Sequence, residues 1–348
     1  MKLPAELGRT RTSITAAALL VAAVAVVLVS YLYGGSSLGK SITDFFVLAV
    51  AVSVPYILGG QGMTLAGRTG IFLVFNEGVM LSAASATFLA TYYTGGNILV
   101  GLAAGALMAG LFGLIMGFFS ITLKQDQFIV GLSLFVAAVG VANFLYSVVI
   151  GITTSPPLIP VLKPVEIPLL SDIPFFGRVL FGQNLMFYFA TALSVALWYF
   201  LYRTRYGLNL RSVGENPRVS DSLGISVTRT RYAATIIGSM IMGLGGAYLP
   251  LYFTATYTPS LVNGRGWIVI ALTLFGRWSP LTVMLGALVF ASAEVFATYS
   301  LILNLPIPDQ FLLMVPFILT LVILVISYRR AELPQALGKS YDRESVED

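Results

Sequence analysis

Long apolar stretches recur along almost the whole chain, and they constrain its fold more than any other feature. A helix that spans the hydrocarbon core of a bilayer needs roughly 20 apolar residues, with a range of about 17 to 25. One of the ten apolar stretches, residues 266–276, is too short for a regular span. The pattern predicts an all-α polytopic membrane protein with about ten transmembrane segments. They lie at residues 14–33, 42–58, 71–93, 98–123, 128–150, 185–202, 232–253, 266–276, 281–303 and 311–327.

The composition agrees with this class and excludes most enzymes. Of 348 residues, 57% are hydrophobic and only 10% are charged, whereas a soluble domain carries about 25% charged residues. The chain has no Cys and no His. Disulfides, thiolate metal sites, the usual general base and the commonest zinc ligand are therefore absent. No catalytic residue, metal site or cofactor is predicted, and an intramembrane enzyme is disfavoured.

The distribution of basic residues predicts the orientation. Ten crossings with both termini in the cytoplasm leave only four of the 20 Lys and Arg outside, namely Lys40, Lys163, Arg178 and Arg265. This asymmetry satisfies the positive-inside rule. The net charge of +5 is thus explained without a nucleic-acid partner.

The loops define the organisation of the chain. Residues 1–330 form a transmembrane domain, with an outer loop at 151–184 and a cytoplasmic loop at 203–231. Residues 331–348 are a polar cytoplasmic tail, which we expect to be mobile.

Two nucleotide-binding patterns occur by chance. Residues 34–41 match the P-loop letter for letter, and residues 58–61 resemble part of an ABC ATPase signature. A P-loop joins a strand to a helix in a soluble α/β domain. Here the match joins two membrane segments on the outer side. The chain itself is therefore not expected to hydrolyse ATP.

Two carboxylates fall inside apolar stretches, and such groups usually face a protein interior or a water-filled path. They are Glu77, which follows Asn76, and Glu294. One interpretation places all three residues on a translocation path. A second makes the carboxylates structural. A third is an ion-coupled secondary transporter that uses Glu77 and Glu294 for proton or sodium coupling.

Short similarities between the halves indicate an internal repeat. Residues 67–70 read Gly-Arg-Thr-Gly and residues 264–266 read Gly-Arg-Gly, each before an apolar stretch. The first lies inside and the second outside, so the sequence predicts two inverted five-helix halves. Glycines also crowd the fourth and seventh stretches, which favours close helix packing.

The cytoplasmic loop contains the signals of a short capped helix within residues 215–224. Asn216 can cap its start, Pro217 suits the first turn, and Gly224 can end it. A rigid helix on the cytoplasmic side is most simply a docking element, and the alternative is a plain connector.

The same loop resembles the coupling region of ABC importer permeases that serve simple sugars, nucleosides and branched-chain amino acids. Similar residues lie at 205–217 and 221–225, and also at 68–70, 76–78, 171–174, 264–267, 275–280 and 314–317. The nucleoside and simple-sugar branch is the most similar. The resemblance implies that ATPase coupling falls to Gly214, Glu215, Asn216, Pro217, Arg218, Asp221, Leu223 and Gly224.

The resemblance also implies the function and the partners. The chain would be the transmembrane permease of a binding-protein-dependent importer and would form the path for a nucleoside or a simple sugar. It would lie in the plasma membrane as a multi-pass protein surrounded by lipid. Its expected partners are a cytoplasmic ABC ATPase, a second homologous or identical permease, and an extracytoplasmic substrate-binding protein.

Overall fold

The computed structural model describes residues 37–151, 156–168, 170–171, 173, 175–302, 308–327 and 333–342. Within these ranges the chain is helical and has no strand, apart from one isolated bridge between Pro164 and Asn184. The predicted first span, residues 14–33, lies outside them. The α-helices are α1 (Ser37–Gly67), α2 (Asn76–Tyr93), α3 (Ile98–Gly117), α4 (Gln127–Val149), α5 (Leu185–Arg203), α6 (Arg205–Glu215), α7 (Pro217–Ser222), α8 (Val227–Leu249), α9 (Arg265–Phe275), α10 (Pro280–Ile302), α11 (Asp309–Leu313) and α12 (Val315–Ser327).

Six helical segments in the described part of the chain are long and apolar enough to cross a membrane. The predicted all-α membrane fold is therefore confirmed, whereas the number of about ten spans stays a prediction. The short eighth stretch is indeed a helix of only 11 residues, α9. The six segments are Lys40–Gly67, Ile98–Thr122, Gln127–Val149, Leu185–Arg203, Val227–Thr254 and Pro280–Ser300.

The third predicted span begins later than the sequence indicates. Apolar residues start at Ile71, but α2 begins at Asn76. Gly70 adopts a left-handed conformation with φ of +93°, which ends the preceding turn. Residues 71–75 form no regular secondary structure, and the amide of Phe72 donates to Oε1 of Gln127 at 2.7 Å. The predicted start at residue 71 is therefore wrong by five residues.

The centre of the bundle is α8, which packs against α1, α2 and α3. The glycine-rich fourth and seventh stretches correspond to α3 and α8, and these two helices are in extensive contact. Helices α8 and α1 also approach closely, since a Cβ on Gly238 would lie 2.5 Å from the carbonyl oxygen of Gly62. The glycines are therefore required by helix packing.

The ATPase-like sequence at residues 58–61 lies in the interior of α1 and has a packing role. The side-chain amide of Gln61 is buried, and it donates to Oγ of Ser194 and to the carbonyl oxygen of Pro280, both at 2.9 Å. These bonds join α1 to α5 and to the start of α10.

Helix α1 runs from one end of the bundle to the other. Near its start, Asp44 pairs with Arg178 of the 151–184 loop at 3.1 Å. Just after its end, the carbonyl group of Arg68 lies so close to Gly214 of the 203–231 loop that a Cβ on Gly214 would collide with it. The two long loops thus lie at opposite ends.

Arg265, which the charge count places outside, is not an exposed residue. Its side chain is only 13% exposed and forms an ion pair with Glu294 in the interior of α10. Arg265 is the first residue of the short helix α9. Its pairing with Glu294 places the start of α9 within the bundle. Arg265 is therefore not exposed to water, and the side of the membrane on which it lies stays a prediction.

The tail predicted to be mobile is packed where it is described. Residues 333–342, called here the C-terminal segment, contact the end of the bundle that carries α6 and α7. The amide of Ala336 donates to the carbonyl oxygen of Gly214 at 2.9 Å, and the Ala336 side chain is buried. Backbone hydrogen bonds therefore hold a segment whose polar composition suggests mobility.

Candidate translocation network and coupling helix

Glu77 lies in the first turn of α2, and its carboxylate accepts two backbone hydrogen bonds from the start of α9. Oε1 accepts from the amide of Gly264 at 2.8 Å, and Oε2 accepts from the amide of Gly266 at 2.7 Å. Free amides at a helix start carry partial positive charge. The carboxylate therefore joins the beginnings of α2 and α9.

Glu294 binds the same short segment through Arg265. One carboxylate oxygen pairs with the guanidinium of Arg265, and the other accepts from the hydroxyl of Tyr56 at 2.6 Å. The guanidinium also lies over the ring of Phe253, 5.4 Å from its centroid. The network thus connects α1, α10 and the start of α9 around one buried cation.

Both predicted carboxylates therefore contact protein rather than lipid. Glu77 and Glu294 meet at residues 264–266, although 187 residues separate Glu77 from Gly264. The structure supports the interpretation of partnered, position-holding groups. It gives Glu294 a cationic partner, Arg265.

Asn76 is also buried, but it belongs to a different contact. Its side-chain nitrogen lies 3.4 Å from Sδ of Met63. Its Oδ1 has no hydrogen-bond partner among the described residues. Asn76 therefore packs α2 against α1 and does not join the carboxylate network.

The short capped helix predicted within residues 215–224 is confirmed as α7. The side chain of Asn216 caps it by accepting from the amide of Val219 at 3.1 Å, and Pro217 occupies the first turn. Gly224 follows with φ of +81°. Each of these residues has the local role that its sequence position indicates.

One side of α7 is fixed and the other is exposed. Ser220 is buried, and its hydroxyl lies 3.1 Å from Oγ of Ser212 on α6. On the other side, Val219 and Leu223 are 53% and 73% exposed. These two apolar side chains are therefore accessible on the surface of the described chain.

Helix α6, which was not predicted from the sequence, supports α7. The side chain of Thr204 caps α6 by accepting from the amide of Gly207 at 3.1 Å. Leu210 and Val213 are buried on one face of the helix. Their spacing after a capping Thr is a helix signal that could have revealed α6.

The coupling-loop residues and the carboxylate network lie in separate places but are linked through the backbone. A Cβ on Gly214 would collide with the carbonyl of Arg68, so α6 ends directly against the α1–α2 turn. Residues 71–75 continue from that turn to α2 and Glu77. The end of α6 is therefore packed against the turn that leads to the network.

Comparisons with known proteins find relatives over most of the chain. The chain is 31% identical over 304 residues to the guanosine ABC transporter permease protein NupQ of Bacillus subtilis, covering 83% of this chain and 93% of the relative. It is 31% identical to the nucleoside ABC transporter permease protein NupC of Lactococcus lactis, with coverage of 83% and 93%.

A third relative is a putative glucose ABC transporter permease protein of Haloferax volcanii, at 31% identity with coverage of 85% and 96%. No solved structure matches the chain significantly. Residues 45–324 match the family described as branched-chain amino acid transport system / permease component. The chain belongs to this family of ABC transporter permeases and is a multi-pass protein of the plasma membrane.

Proposed function

We propose that the chain forms the translocation path for a nucleoside or a simple sugar in a binding-protein-dependent ABC importer. The observation that carries the proposal is the 31% identity, over more than four fifths of the chain, to permeases named for guanosine, nucleosides and glucose. As a permease component the chain is not an enzyme. A separate ATPase supplies the free energy, and a substrate-binding protein delivers the solute.

We further propose that the ATPase docks on α7. Support comes from the rigid capping of α7 by Asn216 and from the exposure of Val219 and Leu223. Nucleotide-driven movement of the ATPase would push a stiff element that α6 ties to the α1–α2 turn. The coupling residues proposed from the sequence, 214–218, 221, 223 and 224, all lie in or next to α7.

The network around residues 264–266 would hold the pathway helices in register. Glu77 and Glu294 fix the start of α9 to α2, α1 and α10. When α7 moves, the displacement would reach α2 through the α1–α2 turn and alter these contacts. Glu77 and Glu294 thus act as positioning residues beside the path in this proposal.

The finer topology is also a proposal. About ten spans with both termini in the cytoplasm place the 203–231 loop inside and the 151–184 loop outside. The meeting of α2 and α9 at their starts supports two inverted halves, because inverted repeats bring interrupted helices together near the bilayer centre. A second homologous or identical permease would complete the path.

Reconstitution tests this function. The permease, its ATPase and its binding protein are incorporated into liposomes, and uptake of labelled guanosine and glucose is measured with and without ATP. We expect uptake of a nucleoside or sugar that needs ATP and the binding protein. Uptake driven by a proton or sodium gradient through the permease alone would instead establish the secondary transporter.

A further inference from the structure

The C-terminal segment, residues 333–342, is held along the coupling-loop end by its backbone. The amide of Gly338 donates to the carbonyl oxygen of Gly70 at 3.0 Å, and the carbonyl oxygen of Lys339 accepts from Arg231 at 3.1 Å. A Cβ on Gly70 would lie 2.8 Å from the carbonyl oxygen of Ala336. The segment therefore packs directly against the α1–α2 turn.

Side chains at the end of the segment reach α7 and the loop after α3. The hydroxyl of Tyr341 donates to Oδ2 of Asp221 at 3.1 Å. Asp342 forms a salt bridge with Lys124, with 2.8 Å between Oδ1 and Nζ. Through Tyr341, the C-terminal segment is bonded to the coupling helix itself.

Between α7 and the segment lies an open recess of about 340 Å³. Charged and polar side chains of both signs line it, from Glu215, Asn216 and Arg218 on one side and from Lys339, Ser340 and Asp342 on the other. Such a lining suits the charged side chains of a protein partner, which can pair with both signs.

We propose that the docking surface for the ATPase is composite, formed by α7 together with the C-terminal segment, and that the recess receives polar side chains of the ATPase. The inference rests on the proposed docking of the ATPase at α7. Pro217 and Arg218 of α7 and Ser340 of the segment line the same recess, so a partner that enters the recess contacts both elements. The Tyr341–Asp221 bond makes the segment move with α7.

Cysteine labelling tests the composite surface, because the chain contains no Cys. Ser340→Cys and Leu223→Cys are introduced singly, and Glu166→Cys in the 151–184 loop is the control; all three parent residues are exposed. Each variant is placed in lipid nanodiscs, and maleimide labelling of the permease is compared with and without the purified ATPase of the same system. We expect binding of the ATPase to slow labelling at residues 340 and 223 by at least about tenfold and to leave residue 166 unchanged.

The outcomes separate this inference from the proposed function. Protection at residue 223 with full reactivity at residue 340 would overturn the composite surface and leave docking at α7 intact. No protection at either residue, with the ATPase bound, would overturn both. Slow labelling at residue 340 in nanodiscs without the ATPase, compared with detergent, would assign the recess to lipid headgroups and also overturn the inference.

A second variant tests the bond between the segment and α7. Tyr341→Phe removes only the hydroxyl that donates to Asp221. We expect ATPase affinity or substrate-stimulated ATP hydrolysis to fall by about two- to tenfold, the effect of one lost hydrogen bond. Tyr206→Phe is the control, because Tyr206 is 77% exposed at the start of α6. Equal activity of Tyr341→Phe and the parent chain would contradict a coupling role for this bond.

Discussion

The carboxylate of Glu77 accepts one hydrogen bond at each oxygen, from the backbone amides of Gly264 and Gly266. Only a side chain with two acceptor oxygens satisfies both amides. In Glu77→Gln, one oxygen is replaced by an NH₂ group, which would face the amide of Gly264 or Gly266 as a second donor. Losing hydrogen bonds to a charged group costs about 1.5–3 kcal/mol. We expect lower thermal stability and strongly reduced uptake, with normal membrane insertion.

The matched control for Glu77→Gln is Glu166→Gln, since Glu166 is exposed in the 151–184 loop. Its stability and uptake should equal those of the parent chain. Thermal unfolding in detergent and uptake into liposomes provide the two measurements. A Glu77→Gln variant with unchanged unfolding temperature and uptake would show that the bridge between α2 and α9 has no role.

The pairing of Arg265 with Glu294 predicts strong coupling between the two positions. Removing one partner of a buried pair leaves an uncompensated charge and costs about 3–5 kcal/mol. We therefore expect Glu294→Gln to destabilise the chain strongly. The double variant Glu294→Gln with Arg265→Gln should recover part of this loss, because no charge remains unpaired.

A double-mutant cycle on thermal unfolding measures this coupling. Tyr56→Phe serves as a milder comparison, since it removes only the hydroxyl that donates to Glu294. Additive effects of the two single variants would mean that the ion pair does not contribute to the fold.

At the scale of helices, α7 is the capped helix that the sequence predicts, and we propose that the ATPase docks on it. Ser220→Pro removes the amide that donates to the carbonyl oxygen of Asn216 at 3.1 Å, and the ring is incompatible with a helix interior. We expect the permease to insert and fold, while substrate-stimulated ATP hydrolysis and uptake both fall.

The control for this helix is Ser222→Ala, because Ser222 is exposed and its hydroxyl bonds only locally, to the carbonyl oxygen of Val219. Coupled transport in this variant should match the parent. If ATPase assembly and coupled transport survive Ser220→Pro, α7 is a connector and the docking assignment fails.

The close contact between α1 and α8 predicts that replacing a glycine by alanine lowers thermal stability at Gly238 but not at Gly140. In Gly238→Ala the new Cβ would lie 2.5 Å from the carbonyl oxygen of Gly62, so the helices must separate, at a cost of about 1–3 kcal/mol. Apart from the backbone of α4 itself, no atom of the described residues lies within 4 Å of a Cβ added to Gly140 on α4. Gly140→Ala should therefore leave the unfolding temperature unchanged or raise it, and equal losses in the two variants would contradict this packing.

The sequence predicted the caps of α7 correctly, but it did not predict the start of α2 or the packing of the C-terminal segment. Caps are local, so Asn216, Pro217 and Gly224 could be read correctly from neighbouring residues. Hydropathy does not record backbone conformation, so it extended the third stretch to Ile71, before the true start of α2. The contacts that hold the C-terminal segment are between backbone atoms of residues far apart, and composition carries no signal for them.

For the whole molecule, the sequence predicted the class of fold and the family, but not which distant groups meet. Glu77 was identified as a buried carboxylate because of its apolar neighbours. Its partners at Gly264 and Gly266 depend on how α2 and α9 pack. The burial of Arg265 was missed for the same reason, since charge counting concerns the side of the membrane and not the contacts of a side chain.

The orientation of the whole molecule in the membrane can be tested at a single crossing, that of α5. Helix α5, Leu185–Arg203, is long and apolar enough to span the membrane and separates Lys163 from Ser222. The two exposed residues should therefore lie on opposite sides, with Lys163 outside and Ser222 in the cytoplasm. In right-side-out vesicles, an impermeant maleimide should label Lys163→Cys at once and Ser222→Cys only after permeabilisation.

The chain has no Cys of its own, so the unmodified permease is the blank for this measurement, and detergent should make both variants react. The reverse pattern would place the 203–231 loop outside and remove the basis for ATPase docking at α7. Labelling of both variants from outside would mean that α5 does not cross. Because one helix separates the two sites, neither result could be attributed to an uncertain number of other spans.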